Sequence, residues 1–186
     1  MAKQNDKGKG RIVKETFPSE IVSIIGGILA GILLLLLILP FNSFIVLILI
    51  IPALLSLRGN ISDPYIARTS RDLIVGEFNK QSLFENILAT LSLSIVTAIL
   101  IGLLNIILNL FLLHELTLPI YTLLLIPVIS ILFTLTISIP CSTGLNYFAF
   151  THGLDPNNLV HPIMTAIDDF STVICFYLTL ILLGVP

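Results

Sequence analysis

The chain has 186 residues, of which 56% are hydrophobic and 11% charged. Its mean hydropathy is +1.07. A soluble domain usually carries about 25% charged residues, so a soluble enzyme and a nucleic-acid binder are both excluded, and the formal net charge of −2 defines no partner.

A basic tail, residues 1–19, carries Lys3, Lys7, Lys9, Arg11 and Lys14 and is expected to be flexible at its start. Residues 20–186 are read as one transmembrane domain of five helices. The first apolar run, 21–39, has the length a ~30 Å hydrocarbon core requires at about 1.5 Å per residue. No small-residue cleavage site follows it, so it reads as a retained span. Gly27 and Gly31 form a small-xxx-small pair through which a second helix can approach, and Pro40 closes the run. The second run, 41–57, contains Pro52, which removes a backbone hydrogen bond and predicts a kink. It ends at Arg58-Gly59-Asn60, and Asp63-Pro64 then reads as a cap-plus-Pro helix start. A second helical piece, 64–74, is therefore expected after a break near Gly59.

The third run, 87–113, has Asn86, Asn105 and Asn109 as its polar points, and His114-Glu115 marks a turn. The fourth, 116–150, includes Pro119, Pro127 and Pro140. Ser130, Thr134, Ser138 and Ser142 recur in it every four residues, a spacing that places them near one helix face and suits helix packing. Asp155-Pro156 is a second cap-plus-Pro signal, opening the fifth run at 159–185. Cys141 and Cys175 lie in apolar runs as buried hydrophobes, and two isolated cysteines form no metal motif.

All nine Lys and Arg residues lie in the tail or between Arg58 and Lys80. With five spans both segments fall on one side of the membrane, which places the N-terminus in the cytoplasm and the C-terminus outside. A plasma-membrane, multi-pass location follows as the expectation.

Chemistry concentrates at Asp168 and Asp169, about ten residues or ~15 Å into the fifth span. A charge at that depth costs from ~2.5 to more than 10 kcal/mol, and Asp is too short to reach the interface. Adjacent helical positions differ by ~100°, so the two carboxylates are not expected to share a site: one lines a pathway and the other bonds a neighbouring helix. Thr165 and Thr172 share their faces. Oxygen donors of this kind suit a hard ion such as Mg²⁺, held by one or two carboxylates and its own waters; no organic cofactor is expected. Gly59 and Asn60 offer freed carbonyls and an amide oxygen where the second helix breaks. His161 sits beside Pro162, where a pore entrance or a packing role are both open.

Two stretches together, PALLSLRGN at 52–60 and GLDPNNLVHPIMTAIDD at 153–169, resemble the membrane domain of the MgtE family of magnesium channels and transporters. The second is similar to the eukaryotic solute-carrier relatives, which hold two such domains in tandem. The resemblance implies a homodimer, or a pair with a paralogous domain, whose pore runs along the subunit interface between the second and fifth spans. It implies that Asp169 is the central ion-binding carboxylate, with Asp168 an extra acid beside it. Pro52, Gly59, Asn60, Asp63, His161 and Thr172 would line that pore. Bacterial relatives carry cytoplasmic Mg²⁺-sensing domains, which a twenty-residue tail cannot replace, so gating of that kind is not expected. Ser62 stands where the tandem relatives tend to have an acid, and Asp63 is displaced from that position by one. The alternatives are a Na⁺- or H⁺-coupled Mg²⁺ exchanger, a non-transporting accessory protein, and an intramembrane aspartyl protease pairing Asp63 with a fifth-span Asp. The depth difference between Asp63 and Asp169 disfavours the protease, so the chain is not read as an enzyme.

Overall fold

The computed structural model describes residues 2–39, 44–112, 114, 116 and 118–185. Five helices account for nearly all of them: α1 (Ala2–Ile38), α2 (Phe44–Val75), α3 (Lys80–Leu112), α4 (Ile120–Thr151) and α5 (Pro156–Leu182). Among the described residues there is no strand. Four helices are long and apolar enough to cross a membrane, over Ile12–Ile38, Lys80–Phe111, Ile120–Thr151 and Pro156–Leu182. The second half of α2 sets Arg58, Asn60 and Asp63 among apolar residues.

The connections explain the boundaries. Gly76 ends α2 with φ of +81°, a left-handed conformation that costs glycine little. The amides of Glu77 and Phe78 then donate to the Asp72 carbonyl at 2.9 and 3.0 Å. Asn79 caps α3, its side-chain oxygen accepting from the Gln81 and Ser82 amides at 2.9 Å each. Pro119, expected within the fourth helix, stands at its N-cap position instead. At the start of α5 the Asp155 carboxylate accepts from the Asn157 amide at 3.0 Å and Pro156 occupies the first turn. The expected chain reversals at Pro40 and Glu115 lie outside the described residues.

Two apolar clusters fix the ends of the bundle. Ile38, Leu47, Leu118 and Val185 join the larger core, which places the end of α1, the start of α2 and the end of α5 together. At the opposite end Ile12, Ile74, Phe150 and Asp155 line a cavity of about 460 Å³. All five helices thus run between the same two ends, α2 included. The innermost helix is α5, which packs against α1, α4 and α2; α1 is peripheral, with Ile24, Ile25, Ile28, Leu35 and Leu36 among its exposed residues.

Three expectations are corrected. The tail is helical from Ala2, continuous with the first span. Near its foot the Glu15 carboxylate accepts from the Asn158 side-chain amide at 3.2 Å, which ties α1 to the start of α5. Second, α2 does not break at Gly59: it runs unbroken through Pro52 and Pro64, and Asp63 is interior rather than a cap. Local start signals lose here to packing. Ile61, Tyr65 and Ile66 are buried, the Tyr65 hydroxyl bonds Thr143 at 2.6 Å, and the Asn146 amide donates to the Ile66 carbonyl at 3.2 Å. These anchors on α4 hold the chain helical on both sides of the signal. Third, the close approach of α1 uses Gly26 rather than Gly27 and Gly31. A Cβ on Gly26 would overlap the methyl of Ala166 on α5, whereas Gly31 has nothing within 4 Å. Ala30, one turn on from Gly26, is buried, so the seam is Gly26-xxx-Ala30, one residue out of register with the expected pair.

Candidate ion site at the crossing of α1, α2 and α5

Asp169 is the middle residue of α5. Thirty-two residues of α2 span about 48 Å, and Arg58 lies near its centre. The two helices cross so that the Arg58 guanidinium meets both acids. Nη2 lies 3.0 Å from Asp169 Oδ1, and Nη1 lies 3.6 Å from Asp168 Oδ2. The two carboxylates share that guanidinium as partner, while only Asp169 is partly open. The ~100° offset between adjacent positions separates the acids but not their partner, because a guanidinium presents two terminal nitrogens in a wide fork.

The acids differ in surroundings. Asp168 is completely buried, while the Asp169 side chain is 21% exposed. Ser62 of α2 and Ser138 of α4 bring hydroxyls beside Asp168, although the Ser62 hydroxyl donates to the Arg58 carbonyl at 2.6 Å. Neither Asp168 oxygen has a hydrogen bond of normal length, and the buried Nε of Arg58 also has no acceptor. Asp169 faces α1, where a Cβ on Gly27 would stand 3.9 Å from its Oδ2. Two carboxylates thus face one guanidinium at mid-helix.

The remaining sequence-predicted residues divide into two groups. Thr165 is half-buried beside the pair, and its hydroxyl donates to the His161 carbonyl at 3.0 Å. Thr172 is buried with no hydrogen bond to its hydroxyl. His161 pairs with Asp63, Nδ1 to Oδ1 at 3.1 Å, which joins α5 to α2 toward the Asp155 end. Pro52, Asn60 and Asp63 are exposed and Gly59 half-buried, on a strip of α2 that also exposes Ser56. Asp155 and Pro156 stand apart from the acids, at the helix start. Among the described residues no three His, Cys, Asp or Glu side chains converge as a metal cluster. One chain thus offers a single partly exposed acid rather than a complete ligand set.

Arg58 is the member that sequence reasoning missed. As a basic residue beside a span it reads as a cytoplasmic marker. Its spacing from the acids, over a hundred residues away, carries no signal of the pairing.

The family model of the MgtE divalent cation transporters matches residues 51–179, a stretch that includes Arg58, Asp63, His161 and both acids. No curated protein and no solved structure matches the chain.

Proposed function

Starting from the fact that the chain belongs to the MgtE family of divalent cation transporters, we propose that it moves Mg²⁺ across the plasma membrane with Asp169 as its central ion site. The observation that carries this reading is the position of Asp169: mid-helix, partly open, and beside a second carboxylate that shares its one guanidinium partner. A charge held at that depth is costly, and a passing cation offsets the cost.

The strip of α2 that exposes Ser56, Asn60 and Asp63 supports a second copy as partner. Polar groups on a helix crossing lipid are stabilised when they face protein or water. In this arrangement α2 is the fifth crossing, its polarity explained by its lining a path along a two-fold axis. A two-fold axis presents the same residue twice, so two Asp169 carboxylates converge on one ion. Mg²⁺ retains several waters and needs only one or two carboxylates, which matches one acid per chain. The basic residues other than Arg58 remain in the tail or at the α2–α3 end, on one side of the bundle, which supports a cytoplasmic N-terminus and an external C-terminus.

Mg²⁺ uptake into proteoliposomes tests the reading. Asp169→Asn keeps shape and removes the charge, and uptake should fall to the level of empty vesicles while the protein elutes as wild type does. Uptake at the wild-type rate would remove Asp169 from its role. A flux that depends on a Na⁺ or H⁺ gradient would mark coupled exchange.

A further inference from the structure

The mid-helix site already contains a cation. The Arg58 guanidinium presents its donors in a planar fork, and its Nη2 holds Asp169 Oδ1 at 3.0 Å. An ion binding at Asp169 meets this guanidinium first. We propose that Arg58 is a tethered counter-ion which the transported divalent cation displaces from Asp169, and that Asp168 is the acceptor onto which it moves. The proposal rests on Asp169 being the ion site.

The surroundings of Asp168 support the exchange. Asp168 is fully buried, so it does not meet a passing ion itself. Both of its oxygens lack a hydrogen bond of normal length, and Arg58 Nε lacks an acceptor. A carboxylate without a hydrogen bond is an open acceptor for a charge-assisted bond from the guanidinium. With Nη1 already 3.6 Å from Asp168 Oδ2, closing to a charge-assisted bond of roughly 2.8 Å requires a shift of under about 1 Å at the guanidinium. Asp169 is then released to the ion without leaving a buried charge unpaired. Asp168 is in this sense a positioning residue, acting on the ion through Arg58.

The isosteric variant Asp168→Asn tests this by a readout that a merely structural role would not move. It neutralises the acceptor and leaves Arg58 on Asp169, so the Mg²⁺ concentration for half-maximal uptake should rise at least tenfold, with the maximal rate changed less. Arg58→Gln removes the competitor, and half-maximal uptake should fall to at least tenfold lower Mg²⁺. The double variant Arg58→Gln/Asp168→Asn carries the same net charge as wild type and should return to within about threefold of it. An unchanged half-maximal concentration in Asp168→Asn, with Asp169→Asn inactive, overturns the counter-ion role and leaves Asp169 as the ion site. Weaker Mg²⁺ dependence in a folded Arg58→Gln protein overturns it as well. Full uptake by Asp169→Asn instead overturns the underlying site. If Arg58→Gln does not fold, Asp168→Asn against wild type and Asp169→Asn decides the matter alone.

Discussion

Replacing Gly26 by alanine tests how tightly α1 is seated on α5. A new Cβ would lie 2.8 Å from the Cα of Ala166 and 3.5 Å from its carbonyl carbon, besides overlapping its methyl. The Cα cannot rotate away, so α1 must retreat by roughly 1 Å, an overpacking strain that costs about 1–3 kcal/mol. At roughly 2–4 °C per kcal/mol for a chain of this size, the melting temperature should drop by about 2–12 °C. The free thiols provide the assay, because Cys175 is buried and Cys141 half-buried. A maleimide dye that fluoresces on reaction reports their exposure as detergent-solubilised protein is heated. Gly31→Ala is the control: it meets nothing within 4 Å and gains helix propensity. Adding Ala166→Gly to the Gly26 variant should recover part of the loss. Equal melting of the Gly26 and Gly31 variants would refute the seam. The same retreat carries Gly27 away from Asp169, so the Gly26 variant should also transport less Mg²⁺.

Other substitutions report on separate parts of the fold. Asp155→Ala removes the acceptor for the Asn157 amide and should cost about 1 kcal/mol in thermal or chemical unfolding, with Asp155→Ser recovering most of it. Tyr65→Phe breaks the 2.6 Å bond to Thr143, whose hydroxyl keeps its own bond to the Ile139 carbonyl. The expected loss in the same melting assay is therefore only about 0.5–1 kcal/mol. Asp63→Asn disrupts a half-exposed pair with His161, worth less than about 1 kcal/mol. If Asp63 stands at the mouth of the path, its loss should slow Mg²⁺ uptake more at low ionic strength than at 0.5 M salt, and a salt-independent loss would place it elsewhere.

Much of the fold was legible because span length and cap chemistry are local properties. Apolar runs separated by turns locate the helices, and Asp155-Pro156 locates the start of α5. The same kind of signal misled at Asp63-Pro64, where buried neighbours on α4 override a local preference for starting a helix. The Gly26–Ala166 contact was illegible for another reason: a small-xxx-small spacing fits several registers, and only the partner helix selects one. The mid-span acids stood out through the cost of burying charge. Their partner did not, because a basic residue beside a span is ambiguous between a topological marker and a buried counter-ion. Cα directions separate the two acids but do not reveal a shared partner, since a long forked side chain can bridge positions that a single atom cannot.

The hydroxyls along α4 carry a mechanical consequence. Thr134 and Ser142 each donate to the carbonyl one turn back in their own helix, and Thr179 on α5 does likewise to Cys175. Thr134 also meets the Cys175 thiol of α5, and Ser138 brings its hydroxyl beside Asp168, so the face of α4 that bonds its own backbone also grips α5. Turning or sliding α5 there would part these contacts. Together with the Asp155 cap and the Arg58 fork they define where the helix that carries both acids comes to rest.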